Sequence, residues 1–395
     1  MEWRSTFNHS ILLFYFGLVN YHVSNWLQNT AINWWAYRIT GNSASVGAVQ
    51  FLQYLPLLIL FLWGGLLIDR TNKVLLLIFT QTFLFTFSIL LFLLALLNSD
   101  SFLLLSTAVF IMGIFKAIDI PLRQTLLANL IKGEALRGGV AVNALIVNGS
   151  RFIGPFLFGL ISQMWSFPST ILASSLLIAI NLSVIPFIRF ETSSGRKIGG
   201  FADGFSFIRS NKGLRSIFLL VSMVGILGWS FHTILPEYSV EVLDLPESSY
   251  GYIASFSGIG SLVGSIVVLL IKRISLNKFI LISLLFNSLG LSIWFFSDLA
   301  DVRSYIPLLF SIFLIGFSLS LFYTSANATV QILTPDFIRG RVLSAYTSIF
   351  VGFQPVGHFI IGWTAYILGL RGSLYVMVFL SLLTLLMWIR IKKSL

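Results

Sequence analysis

Cysteine is absent from this chain of 395 residues. Its absence removes a disulfide framework, a thiolate metal site and a cysteine nucleophile from consideration. Charge is scarce, with Asp, Glu, Lys and Arg making up 10% of the residues, against roughly 25% in a soluble globular protein. Histidine occurs four times, as His9, His22, His232 and His358, and no two stand at metal-ligand spacing. The phosphate-cradling glycine loops, the HExxH helix and the GxSxG elbow are missing. Acids clustered at one depth are not evident either, so the sequence predicts no enzyme, no cofactor and no metal site.

What fills the chain is apolar sequence, 57% hydrophobic with a mean hydropathy of +0.92. Such a chain finds its solvent in a bilayer, where one helical span takes about 20 residues. The patterning predicts twelve spans, at 10–36, 45–68, 74–97, 102–127, 139–164, 168–189, 214–237, 249–271, 279–297, 304–330, 342–367 and 372–390. The first of these is too long for a cleaved leader, and Asn20, His22, Asn25, Gln28 and Asn29 interrupt it.

Charge then orients the spans. Twenty of the 25 Lys and Arg fall in the loops on one side, which include Arg70 and Lys73, Arg123, Lys132 and Arg137, and Arg339 and Arg341. The opposite loops hold Arg38, Arg303 and Arg371. The positive-inside rule places the rich side and both termini in the cytoplasm. Topology and anionic lipid thereby account for the net charge of +11, and no nucleic-acid partner is expected.

The chain repeats itself. Glu134-Ala-Leu-Arg137-Gly138-Gly-Val140 precedes span 5, and Asp336-Phe-Ile-Arg339-Gly340-Arg-Val342 precedes span 11, at an offset of 202. The same offset carries Arg70 onto Lys272 and nearly superposes Gly154-Pro155 on Pro355. The predicted organisation is a six-helix half at 1–190, a cytoplasmic linker at 191–213 and a second half at 214–395. In the linker, Phe201, Phe205 and Ile208 recur at helical spacing and predict a short interfacial helix. Parallel repeats place a transport site between the halves, near the membrane midplane.

Four groups of residues stand out. After span 2, Gly65-Leu-Leu-Ile-Asp69-Arg70-Thr-Asn72-Lys73 sets an acid beside two bases in a tight turn. That turn can act as a conformational latch, or be an ordinary turn that obeys the charge rule. In span 5, Gly154-Pro155 reads equally as a hinge or as close packing. On span 1, His22, Asn25, Asn29 and Asn33 share one helical face and Asn20, Ser24 and Gln28 an opposite one, with Trp26 beside the first. A helix so polar is expected to be enclosed by protein, with the His22 face toward a cavity. On span 4, Lys116, Asp119 and Arg123 share a face. Lys116 and Asp119 are read as the buried pair and Arg123 as reaching the cytoplasmic surface.

Arg151 in span 5 has no acid on its own helix, which leaves the interior net positive and suited to an anionic substrate. Trp229, His232, Tyr323, Asn327, Gln354 and His358 are the cavity candidates of the second half. Trp34 and Trp35 read as interfacial anchors, and Glu237 as loop.

Together these features resemble the major facilitator superfamily, an all-α integral membrane fold of twelve helices in two parallel-repeat halves. The Gly65–Lys73 loop resembles that family's loop 2–3 motif, with Asn72 where Gly is usual; Asn tolerates the left-handed backbone such a turn needs. Gly154-Pro155 resembles its span 5 antiporter motif. Asn25-Trp26-Leu27, Pro121-Leu-Arg123-Gln124, Arg151-x2-Gly154-Pro155 and Gln331-x3-Pro335-x3-Arg339-Gly340-Arg341-Val342 are similar to the branch that holds the enterobactin exporter and macrolide efflux proteins. The resemblance implies proton-driven export of a siderophore or drug by a monomer in a bacterial inner membrane, with lipid as its other partner. Multidrug efflux, uptake of a metal-loaded siderophore, and lipid flipping are the alternatives; an intramembrane enzyme or a sensor is remote. Where that branch has an acid in span 1, this chain has Asn25, so Asp119 and His22 become the candidate proton carriers.

Overall fold

The computed structural model describes residues 9–131, 135–188, 201–271, 273–335 and 338–392. The side chains at 61–70, 128, 135–137, 140 and 201–203 lie outside that description. Every regular element among the described residues is helical, as a hydrocarbon solvent requires of a chain whose backbone groups must be satisfied internally. The N-terminal group comprises α1 (His9–Thr40), α2 (Ser43–Arg70), α3 (Lys73–Leu96), α4 (Phe102–Leu130), α5 (Ala135–Met164) and α6 (Phe167–Val184). A short helix, α7 (Phe201–Ser210), follows. The C-terminal group comprises α8 (Lys212–Gly228), α9 (Phe231–Glu237), α10 (Glu247–Leu270), α11 (Leu276–Leu299), α12 (Tyr305–Leu333), α13 (Arg339–Gly352) and α14 (Gln354–Ile391).

Ten stretches among the described residues are long and apolar enough to cross a membrane. α1 is not among the ten, because its amides and histidine depress its hydropathy. Polar residues mark the starts: Asn42, Asn72, Ser101, Asn211 and Ser304 each accept a hydrogen bond from the first turn they precede. Asn72 therefore works as an N-cap with φ −69°. It does not adopt the left-handed backbone expected of it, and a capping side chain is what glycine could not supply.

Two predicted spans are broken. Span 7 divides at Trp229-Ser230, between α8 and α9, and span 11 divides at Phe353, between α13 and α14. A further break falls at Gly369, φ 74°, inside α14, where the sequence places the turn between spans 11 and 12. α5, by contrast, runs as one helix through Pro155.

The same neighbours recur in the two groups. α2 packs on α4 as α10 packs on α12, α3 on α4 as α11 on α12, and α3 on α6 as α11 on α14. The turns repeat too: the left-handed residues Gly41 and Asp244, and Asn98 and Asp301, each lie 203 residues apart.

Between the groups, α5 packs on α10 and α2 on α14. Glycine permits this approach, since a Cβ at Gly258 would strike the backbone of Arg151 and Phe152, and one at Gly47 the backbone of His358. These contacts close the end that carries Gly41 and Asp244. There Tyr37 donates to Glu241 (2.8 Å), and the Ser43 amide and hydroxyl both donate to Glu237. Glu237 thus ends α9 inside an interface and is not loop. Trp34 and Trp35, read as surface anchors, are 7% and 1% exposed. Trp34 stacks on Tyr250 and Trp35 meets Phe167 edge-on, because the closed end needs large rings to fill it. Toward the other end, Ala141, Ala144 and Leu145 of α5 are exposed.

A helix, α7, occupies the stretch where the spacing of Phe201, Phe205 and Ile208 predicts one. It packs on α13 and α8, burying Ile208 and exposing Phe205.

Candidate functional site

Beside the break that follows α8, Arg151 of α5 lies against two indoles. Its Cζ is 4.5 Å from the Trp229 ring centroid and 5.6 Å from that of Trp26, an arrangement a planar guanidinium stabilises through its faces. One terminal nitrogen donates to Asn148 Oδ1 (2.9 Å), and Asn148 donates onward to Ser265 of α10 (2.9 Å). Arg151 Nε is buried and has no partner among the described residues.

The break at Trp229-Ser230 delivers the rest. It turns Trp229 and His232 to the same side, stacked with ring planes 10° apart and 6.0 Å between centroids. Trp26 stands 6.1 Å from the His232 ring. His232 Nε2 is also buried without a partner among the described residues. The cluster thus joins α1, α5 and the α8–α9 break, with a cation that meets no acid among the described residues, set against two aromatic rings, and with two buried nitrogens that lack a partner there. Chemically it can receive an anionic, aromatic-bearing molecule. The sequence places Trp26 beside the His22 face of α1 but gives no sign that Arg151 arrives against it from another helix.

Other expected residues support this cluster from a distance. His358 shares a 2.8 Å hydrogen bond with Thr233, next to His232, and so ties α14 to α9. Tyr323 donates to the Val224 carbonyl (3.3 Å), and its ring lies 4.0 Å from that of Phe350. Asn327 accepts from Gln331 (2.6 Å) on its own helix. Gln354 opens α14 just past the Phe353 break, half-buried.

The polar face of α1 divides. Asn29 donates to Tyr54 (3.3 Å) and accepts from Gln50 (3.2 Å), and Gln50 also donates to Asn33. That part of the face is therefore stitched to α2. The opposite stripe meets neighbours as expected, with Ser24 donating to the Ser174 carbonyl and Gln28 to Ser88. Asn25 departs from its stripe and lines a small cavity with Tyr21, Gln28, Gln81 and Lys116. His22 lies edge-on to Tyr21. Enclosure holds for the middle and end of α1, whereas Leu12 and Phe16 near its start are exposed.

On α4 the pairing differs from the expectation. Asp119, wholly buried, takes Arg123, with Nε 2.7 Å from Oδ2, and its other oxygen accepts from Thr80 (3.0 Å) and Gln81 (2.7 Å). Arg123 does not reach the surface. It is 5% exposed, with its Cζ 3.9 Å from the Tyr21 ring centroid. Asn181 of α6 donates to Gln81 Oε1 (2.7 Å) and so ties α6 to the same network. A guanidinium one turn along the helix presents a fork to the carboxylate that an ammonium cannot match. The loop motif is seen only in part: Gly65, Asp69 and Arg70 belong to the end of α2, where side chains lie outside the described residues, and Lys73 opens α3, half-buried. Gly154 packs against Trp26 and Leu27 of α1, a close approach of backbones, and Pro155 follows it within α5.

The helix order, the repeated neighbours and a polar cluster between the two groups define a transporter of the major facilitator superfamily. The chain belongs to the transmembrane secretion effector family, whose model matches residues 13–394, and it is a multi-pass protein of the bacterial inner membrane. It is 25% identical over 385 residues to the staphyloferrin A transporter of Staphylococcus aureus (strain NCTC 8325 / PS 47), covering 94% of this chain and 91% of that one. Among solved structures, the nucleoside transporter NupG matches with a TM-score of 0.76 at 13% identity, covering 98% of this chain and 99% of that one. A bacterial homologue of the human lysosomal transporter Spinster, inward-facing and unoccupied, matches at 0.74 and 12%, covering 98% of each chain. These likenesses show the fold.

Proposed function

We propose that the chain exports a small amphiphilic or anionic molecule, a siderophore, by proton-coupled alternating access. The observation that carries the substrate class is Arg151, which no acid pairs among the described residues and which sits against Trp26 and Trp229 from opposite helix groups. A cation so placed attracts an anion, and the flanking rings favour an aromatic or apolar body. The relative named for staphyloferrin A, a siderophore, supports the same class.

The spans number twelve when α1 is counted and the last apolar stretch is divided at Gly369, with both termini cytoplasmic. The halves are 1–190 and 214–395, joined by 191–213, and the protein works as a monomer. His22, Asn25, Asn29, Lys116, Arg151, Trp229, His232, Tyr323, Asn327, Gln354 and His358 serve the cavity, directly or by holding its walls. Gly65, Asp69, Arg70 and Lys73 form the latch, and Gly154-Pro155 the point where α5 flexes. The closed end that carries Gly41 and Asp244 is then external, which makes the conformation inward-facing.

Protons enter through Asp119 or His22. In sealed vesicles, Asp119→Asn should abolish uphill transport while sparing downhill exchange, if Asp119 is the carrier. Uphill transport that survives there and fails in His22→Gln assigns the proton to the histidine. For the substrate, Arg151→Gln should cut transport of an anionic siderophore by on the order of thirtyfold or more, as truncating one partner of a desolvated charge pair costs about 2–5 kcal/mol. Neutral compounds should lose far less. Equal losses for both would overturn the anionic reading, and accumulation inside cells rather than outside would overturn export.

A further inference from the structure

Lys116 is 5% exposed and has no ion pair or hydrogen bond among the described residues. The acid one turn away is already engaged: Asp119 spends one oxygen on Arg123 and the other on Thr80 and Gln81. The charges gathered on this face of α4 are Lys116 and Arg123 against Asp119, an excess of one positive charge inside a helix bundle. An isolated ammonium is costly to bury.

The ammonium does face space. It lines a cavity between α1, α3, α4 and α6 with Tyr21, Asn25, Gln28 and Gln81, with room for about one water-sized group. Two of the other polar groups there are committed, Gln28 to Ser88 and Gln81 to Asp119. Asn25 is half-buried and keeps its amide donors for the cavity. A cation and a neutral amide donor that line the same space, with no acid lining it among the described residues, are the components of an anion site.

We propose that Lys116 and Asn25 bind a compact monovalent anion inside the N-terminal helix group, separately from the Arg151 cluster. The anion is either a carboxylate arm of the transported molecule or a free inorganic ion. The site stands on this cluster alone. Only the first source rests on the transport reading, and failure of that reading leaves the binding intact.

The test uses the purified full-length protein in detergent, unfolded thermally in chloride or acetate at constant ionic strength, with a bulky organic sulfonate as the balancing anion. The wild-type midpoint should rise saturably, by at least about 3 °C at 100 times the Kd. Lys116→Gln should lose the response and Lys116→Arg keep it. Asn25→Asp, which supplies a carboxylate from within, should unfold at the higher midpoint without added anion and stop responding. A response to acetate alone assigns the site to a carboxylate arm; an equal response to chloride assigns it to a free ion. An anion-independent wild-type midpoint overturns the proposal, since Lys116 is then neutral or compensated otherwise. An undiminished response in Asn25→Asp overturns it as well, even if Lys116→Gln fails to fold.

Discussion

Lys116, Asp119 and Arg123 illustrate how far residue spacing carries and where it stops. Steps of three and four put all three charges on one face of α4, which the sequence makes plain. Which base answers the acid depends on side-chain geometry, and the arginine fork at i+4 takes it. Removing the acid should therefore be felt as lost stability. Asp119→Asn leaves Arg123 buried and uncompensated, at a cost of about 3–5 kcal/mol, visible as a lowered unfolding midpoint. Asp119→Asn combined with Arg123→Gln should recover most of that loss. No recovery in the double variant would show that Arg123 is held by something other than this pair. The Arg151 cluster was half legible: a basic residue inside a span announces itself, as do Trp229 and His232. Trp26 was visible beside the His22 face but not as a partner of Arg151, since that contact arises only when α1 and α5 meet at Gly154.

At the scale of helices, hydropathy located nearly every element but could not see the breaks at Trp229-Ser230 and Phe353. An apolar run reads the same whether its helix is continuous or interrupted. The interruption matters, because it is what turns Trp229 and His232 together toward Arg151. Glycines were visible as small residues, yet the sequence could not say which faced the other half. Gly258 does, against α5, whereas Gly316 meets the backbone of Ser257 on α10 in its own group.

These two glycines should respond differently to a side chain. Gly258→Val overpacks an interface that the proposed alternating access would separate, worth about 1–3 kcal/mol, and should open the closed end. Maleimide labelling of a single Ser248→Cys variant should then speed up by about tenfold, in a chain with no cysteine of its own. Gly316→Val should instead lower the yield of folded protein. Unchanged labelling in Gly258→Val would mean that the α5–α10 contact does not part during the cycle. The latch is tested on its own terms: Asp69→Asn should fold normally and slow transport, and wild-type rates at equal protein level would reduce the motif to an ordinary turn.

The whole molecule carries its history in its turns. The sequence offset of 202 and the recurrence of left-handed turns 203 residues apart come from different observations, and they agree to within one inserted residue. The orientation expected from charge is open to test: reporter fusions should place Ser194 in the cytoplasm and Asp244 outside. An exterior signal at Ser194 would break the twelve-span arrangement. The pairing of Trp26 with Trp229 has one more consequence. Their rings lie 5.9 Å apart, one on each half, with a guanidinium against both. Indole emission depends on such neighbours, so the molecule holds a native optical probe of its own cycle. When the halves rock and the two rings separate, fluorescence should change without any dye attached, and Trp26→Phe should remove most of that signal. Stopped-flow spectroscopy could then time the turnover of the unlabelled protein.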